Sequence, residues 1–223
     1  MSTSDAIINT LQYIYDNLDK GYSVISIFLD FSKAFDCVDH EILLHKLRVY
    51  GVRGLALDWF RSYLTNRQQY VTFKNKLSDV RSVDCGVPQG SILGPLLFLI
   101  FINDFPNCSN FFKFTLFADD STLTCRFEND ATTSIPTILS NELSNVFKWI
   151  SANKLKVNTE KCKFIHFSYR QNLNFPPIKI NSSSIYQTDS IKFLGIIIDK
   201  NLNFKQHIAV MSSKLSKSVG LLQ

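Results

Sequence analysis

The sequence predicts an α+β fold, an antiparallel sheet backed by helices, and three observations carry that reading. Val24 to Leu29 is β-branched and apolar almost throughout, the pattern of a central strand buried on both faces. Phe114-Thr115-Leu116-Phe117 and Ser121-Thr122-Leu123-Thr124 read as half-buried strands, and a turn of two residues joins them into a hairpin carrying Asp119 and Asp120 at its apex. Apolar runs at helical spacing, near Glu41 to Tyr50, Leu96 to Asp104 and Ala131 to Ala152, supply the backing layer.

Taken in order, residues 5 to 19 place Ile7, Ile8, Leu11, Ile14, Tyr15 and Leu18 on one helical face that needs a partner. The strand from Val24 then delivers Asp30 at its carboxyl end. Asp39 caps a helix through Tyr50 that Gly51 terminates, and Leu55 to Leu64 forms another. Tyr70 to Phe73 and Val80 to Cys85 are expected to pair as a hairpin turning at Lys74-Asn75-Lys76. Gly86-Val87-Pro88-Gln89-Gly90-Ser91 is a loop, because its glycines and proline sustain neither regular structure, and a helix from about Ile92 to Asp104 follows. The helix from Ala131 to Ala152 tolerates Pro136 only near its start. Strands are expected at Phe164 to Phe167 and Ile191 to Ile198, with turns at Phe175-Pro176-Pro177 and Asn181 to Ser184 between them. A further helix begins at Phe204.

At 223 residues, 45% hydrophobic and 19% charged, the chain has enough apolar content for one or two cores, which excludes a disordered protein. The longest apolar run, Ile92 to Ile102, is broken by Gly94 and Pro95 and is too short to span a bilayer. The amino terminus opens on Ser2-Thr3-Ser4-Asp5 rather than a basic and then apolar signal. The five cysteines are scattered without a C-x-x-C pair, which argues for reduced thiols and against zinc. An unsecreted, intracellular protein of nucleus or cytoplasm, without membrane insertion, is expected. The net charge of +5 conceals an asymmetry: residues 1–147 hold 12 Lys and Arg against 16 Asp and Glu, whereas residues 148–223 hold 12 against 3. A basic third interleaved with aromatics suits a phosphate backbone, and it equally suits a solvated lysine-rich surface.

Two carboxylates at the apex of an apolar hairpin repel each other and lose solvent, a cost that hard Mg²⁺ relieves. Phosphoryl transfer on two metal ions needs carboxylates from more than one strand, and Asp30 is the natural third member. The Gly86 to Ser91 loop offers backbone and an amide side chain at the mouth of a helix, where a phosphate or a base would rest. His40, His45, His166 and His207 have no ligand spacing and read as surface or capping residues, while Trp59 and Trp149 fall on apolar helix faces and read as core.

Five stretches in order then resemble the palm of reverse transcriptases, most closely those of non-LTR (LINE-type, jockey-like) retrotransposons. They are Phe28-Leu29-Asp30-Phe31-Ser32-Lys33-Ala34-Phe35-Asp36, the loop from Gly86 to Ser91 running into Leu93-Gly94-Pro95, Phe117-Ala118-Asp119-Asp120, Asn153-Lys154-Leu155-Lys156-Val157-Asn158 with Lys161, and Lys192-Phe193-Leu194-Gly195. The resemblance implies an RNA-directed DNA polymerase that joins deoxynucleoside triphosphates to a DNA primer on an RNA template. It implies two Mg²⁺, or Mn²⁺ in their place, on Asp30 and Asp119 with Asp120 in support. By the same resemblance Phe35 blocks a ribose 2′-hydroxyl, Gln89 and Gly90 meet the incoming nucleotide, and the backbone of Phe31 and Ser32 approaches its triphosphate. Lys161 either assists the departing pyrophosphate or is merely solvated, and Phe193, Leu194 and Gly195 grip the primer. The division implied is a palm with partial fingers elements over 1–168, a primer-grip-like connection over 169–203 and the start of a thumb helix over 204–223.

The pattern departs from the family at both ends. About twenty residues precede the first palm strand and their one basic side chain is Lys20, so the triphosphate clamp of the fingers is not among them. A palm-centred remnant or partial reading frame is expected, catalytic or else a nucleic-acid-binding relic, with apolar surface left bare on the helix from Asp5 to Asp19. Its oligomeric state is not implied.

Overall fold

The structure, a computed structural model, describes residues 2–128, 134–169, 173–180 and 183–220. Its helices are α1 (Thr3–Asp19), α2 (His40–Val49), α3 (Leu55–Leu64), α4 (Leu93–Ile102), α5 (Ile135–Ala152) and α6 (Lys205–Gly220). Its strands are β1 (Ser23–Asp30), β2 (Arg67–Gln69), β3 (Thr72–Phe73), β4 (Lys76–Leu77), β5 (Arg81–Val83), β6 (Lys113–Phe117), β7 (Asp120–Phe127), β8 (Lys163–Phe167), β9 (Ile178–Ile180), β10 (Ser183–Gln187), β11 (Ser190–Phe193) and β12 (Ile196–Asp199). They fall into two units: Met1–Asp30, Ser109–Ser144 and Asn158–Gln223 form the first, Phe31–Cys108 and Asn145–Val157 the second.

The first unit is built on β1, whose residues are buried from Ser23 through Leu29 because the strand is paired on both sides, with β7 and with β8. The full sheet runs β6-β7-β1-β8-β10-β9 and is antiparallel except where β10 meets β8. On one face Val24, Phe28, Ile165 and Phe167 pack with Ile14 and Leu18 of α1 and with Phe193 and Ile198 of the β11-β12 hairpin. The helix expected to be bare is therefore covered, although Ile8 stays 60% exposed. Ser2 and Asp5 cap α1 reciprocally, each side chain accepting from the other's backbone N–H.

Several boundaries differ from expectation, each for a physical reason. Ile191 to Ile198 is a tight hairpin rather than one strand, because Leu194 and Gly195 both take positive φ, as a two-residue turn requires. Ser183 and Ser184, expected in a turn, belong to β10, where pairing to β9 outweighs their low strand propensity. Asn181 and Ser182 of that turn lie outside the described residues, as do Ala131 to Thr133 of the expected helix. His166 is 4% exposed instead of superficial, with its ring 5.9 Å from that of Phe127 and 5.0 Å from that of Phe175.

In the second unit, α2 packs with α3 and α4. Its staple is Lys46, whose Nζ donates to the Phe101 carbonyl and to Asp104, each at 2.6 Å, and lies over the rings of Phe101 and Trp149. Trp149, expected in the core, is half-buried with its ring 4.6 Å from that of the buried Phe105, and Trp59, also expected there, is 53% exposed and stacks on Tyr63. The hairpin between α3 and the glycine loop is longer than expected: β2 pairs with β5, and β3 with β4 across a turn at Lys74-Asn75, both left-handed. All five cysteines are free thiols, and no described helix is long and apolar enough to cross a membrane.

Candidate active site

β1 ends on Asp30 and β7 begins on Asp120, and the antiparallel register makes the two direct partners. Side chains so paired have Cβ atoms about 5 Å apart. The turn that joins β6 to β7 is Ala118-Asp119, so Asp120 is a strand residue and Asp119 the tip. Ala118 holds φ of 51°, a conformation costing a non-glycine residue about 1 kcal/mol. Asp119 and Asp120 are exposed and Asp30 half-buried. The Asp120 carboxyl is held above the usual carboxylate range, first by lost solvation at the strand end and then by the charges of Asp119 and Asp30. The three acids thus act on one another.

Around them, Lys161 Nζ stands 3.8 Å from Asp30 Oδ2, an exposed pair of little energetic weight. The backbone of Asp30 is pinned on both sides, its carbonyl accepting from Asn158 N–H at 2.8 Å and its N–H reaching Cys162 Sγ at 3.4 Å. That thiol is buried and its pKa is pushed up to about 11, chiefly by burial, so it is no nucleophile. A cleft of about 250 Å³ brings Asp30, Asp120 and Lys161 together with Thr122, Phe28 and Phe193. Phe193 sets its ring edge against Phe28 at 5.4 Å, while Leu194 and Gly195 form the turn beyond and do not line the cleft. Among the described residues the hydroxyls of Ser121 and Thr122, buried at the start of β7, have no hydrogen-bond partner. Among the described residues no three His, Cys, Asp or Glu close into a ready cage for a metal ion. The donor set still fits a hard divalent cation, since every acid offers oxygen and the raised Asp120 carboxyl is what such a cation would bring back down.

The remaining candidates sit in the second unit. Ser32 donates its N–H to the Lys156 carbonyl at 2.8 Å and Phe31 bridges to Val157, so the last residues after α5 clamp the segment that follows β1. Phe35 is half-buried and lies against Phe98 with ring centroids 4.5 Å apart. Gln89 is exposed and donates to Asp36 Oδ1 at 2.8 Å. The glycine loop is pressed into place: a Cβ on Gly86 would meet the Asp36 carbonyl at 2.8 Å, and one on Gly94 the Pro88 carbonyl at 2.6 Å. Gly90, at φ of 81°, faces open space. A cleft of about 760 Å³, within the size range of small-molecule sites, is lined by Gly86 to Gln89, Asp36, Lys33 and Arg67.

Sequence reasoning passed over His40. It is buried rather than superficial, and its Nε2 meets the Gly86 carbonyl at 2.8 Å, latching the start of α2 to the loop. Next to it Asp39 caps α2 through Ile42 N–H and pairs with Lys154 at 2.6 Å. Burial pushes the Asp39 carboxyl up, but those two partners outweigh it and leave it below the usual range.

Residues 2–198 match the family described as reverse transcriptase (RNA-dependent DNA polymerase). The chain is 32% identical over 226 residues to the probable RNA-directed DNA polymerase from transposon X-element of Drosophila melanogaster, covering 97% of this chain and 24% of that protein. It is 30% identical to the RNA-directed DNA polymerase from mobile element jockey of Drosophila funebris, covering 92% and 23%. It therefore spans about a quarter of the length of these relatives. Among solved structures it is similar to apo telomerase from Candida tropicalis truncated from the C-terminal domain, at a TM-score of 0.59 and 15% identity, over 92% of this chain and 39% of that one. Telomerase from Candida albicans in complex with the TWJ fragment of telomeric RNA gives 0.55 at 16% identity, over 89% and 34%. With nearly its whole length matched, and the fold shared, the chain belongs to the reverse transcriptase family of RNA-dependent DNA polymerases.

Proposed function

We propose that this chain is the palm-centred part of a retrotransposon polymerase that extends a DNA primer on an RNA template with deoxynucleoside triphosphates. The observation that carries the reading is the direct pairing of Asp30 with Asp120, one residue from Asp119 at the hairpin tip. Asp30 and Asp119 would hold two Mg²⁺, or Mn²⁺, with Asp120 in support. Ions bound there lower the pKa of the primer 3′-hydroxyl and neutralise the triphosphate. Lys161, beside Asp30, supplies positive charge or a proton to the departing pyrophosphate. Gln89 and Gly90 meet the nucleotide, the backbone of Phe31 and Ser32 its phosphates, and Phe35, held against Phe98, excludes a 2′-hydroxyl. The hairpin turning at Leu194-Gly195, anchored through Phe193, holds the primer. Residues 1–168 then serve as palm with partial fingers elements, 169–203 as the primer-grip connection and 204–223 as the start of the thumb.

A second reading, a non-catalytic nucleic-acid-binding remnant, draws support from the basic third, in which residues 148–223 hold 12 Lys and Arg against 3 Asp and Glu. Primer extension on homopolymer RNA separates the two. The polymerase reading expects Mg²⁺-dependent extension that Asp119→Asn abolishes, whereas salt-sensitive binding without extension would establish the remnant.

A further inference from the structure

The hairpin from Arg67 to Val83 lines the cleft beside the glycine loop at its base, while its tip from Thr72 to Leu77 carries chemistry that the polymerase site does not use. Every residue from Gln68 to Ser82 is exposed, including Phe73 at 69%, Leu77 at 70% and Val71 at 67%. Two strands with no core between them are at best marginal in water, so this arm is suited to a surface that covers it. Its charges say which surface. Arg67, Lys74, Lys76 and Arg81 stand against one carboxylate, Asp79, and none of the four cations makes an ion pair with an acid among the described residues. At the tip, Lys74 Nζ lies 5.4 Å from the centroid of the Phe73 ring, and the register makes Lys76 the cross-strand partner of Phe73. An exposed aromatic ring with one ammonium over one face and a second lysine across the strand leaves its other face for a base and offers the two cations to the adjoining phosphates. A second copy docked hairpin to hairpin would bring four cations against four.

We propose that this hairpin tip binds unpaired polynucleotide, with a base stacked on Phe73 and adjoining phosphates on Lys74 and Lys76. Stacking needs a base free of its own neighbours, so single strands are preferred over duplex. The strand is RNA if the polymerase reading supplies it, and single-stranded DNA has the same recognisable chemistry.

Fluorescence anisotropy of the full chain with labelled oligo(U), oligo(dT) and a duplex of equal length tests this without nucleotide or Mg²⁺. Phe73→Ala should weaken single-strand binding about tenfold while Phe73→Trp retains it, and Lys74→Glu with Lys76→Glu should lower the salt slope by about 1 to 2. Loss confined to oligo(U) identifies RNA, and equal loss identifies any unpaired strand. Unchanged single-strand affinity in Phe73→Ala overturns the proposal. So does a wild-type dimer in sedimentation that Phe73→Ala disperses, which would assign the tip to self-association. Missing primer extension would defeat the polymerase reading and leave this one standing.

Discussion

Of the hairpins in this molecule that turn on a pair of residues including a left-handed one, two have opposite fates. The β6-β7 hairpin, turning at Ala118-Asp119, is paired along β7 to β1 and its second strand is buried from Ser121 through Cys125. The β3-β4 hairpin, turning at Lys74-Asn75, has exposed residues throughout. Local turn chemistry is similar; what differs is the presence of a third strand. A third strand makes the tip of the first hairpin a fixed address, so that like charges can be held together there against their repulsion. Without one, the second tip can carry only charges that solvent or a partner will satisfy.

The sharpest way to break that contrast is to remove one acid from the fixed address. Asp30→Asn should cut primer extension by about 10³-fold or more, yet raise thermal stability slightly, because a carboxylate opposite Asp120 is lost and Lys161 gives up only an exposed pair. Gel-resolved extension and a melting curve on the same preparation read both. A fall in stability equal to the fall in activity would mean that Asp30 is structural and the address unoccupied by chemistry.

A smaller effect probes how dry the third-strand environment is. His166, on β8 beside β1, keeps its imidazole neutral: burial pulls its pKa down to about 4 from 6.5, against a hydrogen bond to the Leu173 backbone that raises it. Above about pH 6.5 neither folded nor unfolded chain protonates it, and its contribution is fully present. As pH falls through 6.5 toward 4 the unfolded chain takes up a proton that the folded chain refuses, so stability declines by about 3 kcal/mol and levels off below pH 4. Denaturant melts between pH 7 and 4 should show this slope in the wild type and lose most of it in His166→Leu.

How much of this was legible in the residues follows the same division. β1, α2, α3 and the Asp119-Asp120 hairpin could be read because each announces itself locally, through a β-branched run, an Asp39 cap, a Gly51 stop or acids between apolar strands. That Asp30 joins the hairpin acids follows from the need for a carboxylate on a second strand and from the family resemblance, whereas its register with Asp120 is not legible, since no local pattern states a pairing across ninety residues. β9 and β10 were missed because Ser183-Ser184 pairs against its own propensity, and His40 because its partner is a backbone carbonyl 46 positions away. The outlying hairpin was misread at its ends for the converse reason. With nothing packed upon it, pairing breaks between β2 and β3 where the chain is free to do so, and the pattern Tyr70 to Phe73 promised a longer strand.

The least expected loss makes the contrast quantitative in stability alone. Phe193 and Phe73 are the same side chain in two hairpins, the first 4% exposed with its ring edge on Phe28, the second 69% exposed beneath a lysine. Truncating the first should cost about 3 to 4 kcal/mol, the transfer of a full ring plus the cavity it leaves in the cluster of Ile14, Leu18 and Ile165. Truncating the second should change stability by less than about 0.5 kcal/mol, because a ring already in water leaves no cavity and forfeits only a solvated contact with Lys74. Urea melts of Phe193→Ala and Phe73→Ala measure the difference directly. Equal losses would mean that the Arg67 to Val83 arm folds back onto apolar surface in solution, and its aromatic tip would then be unavailable to any strand.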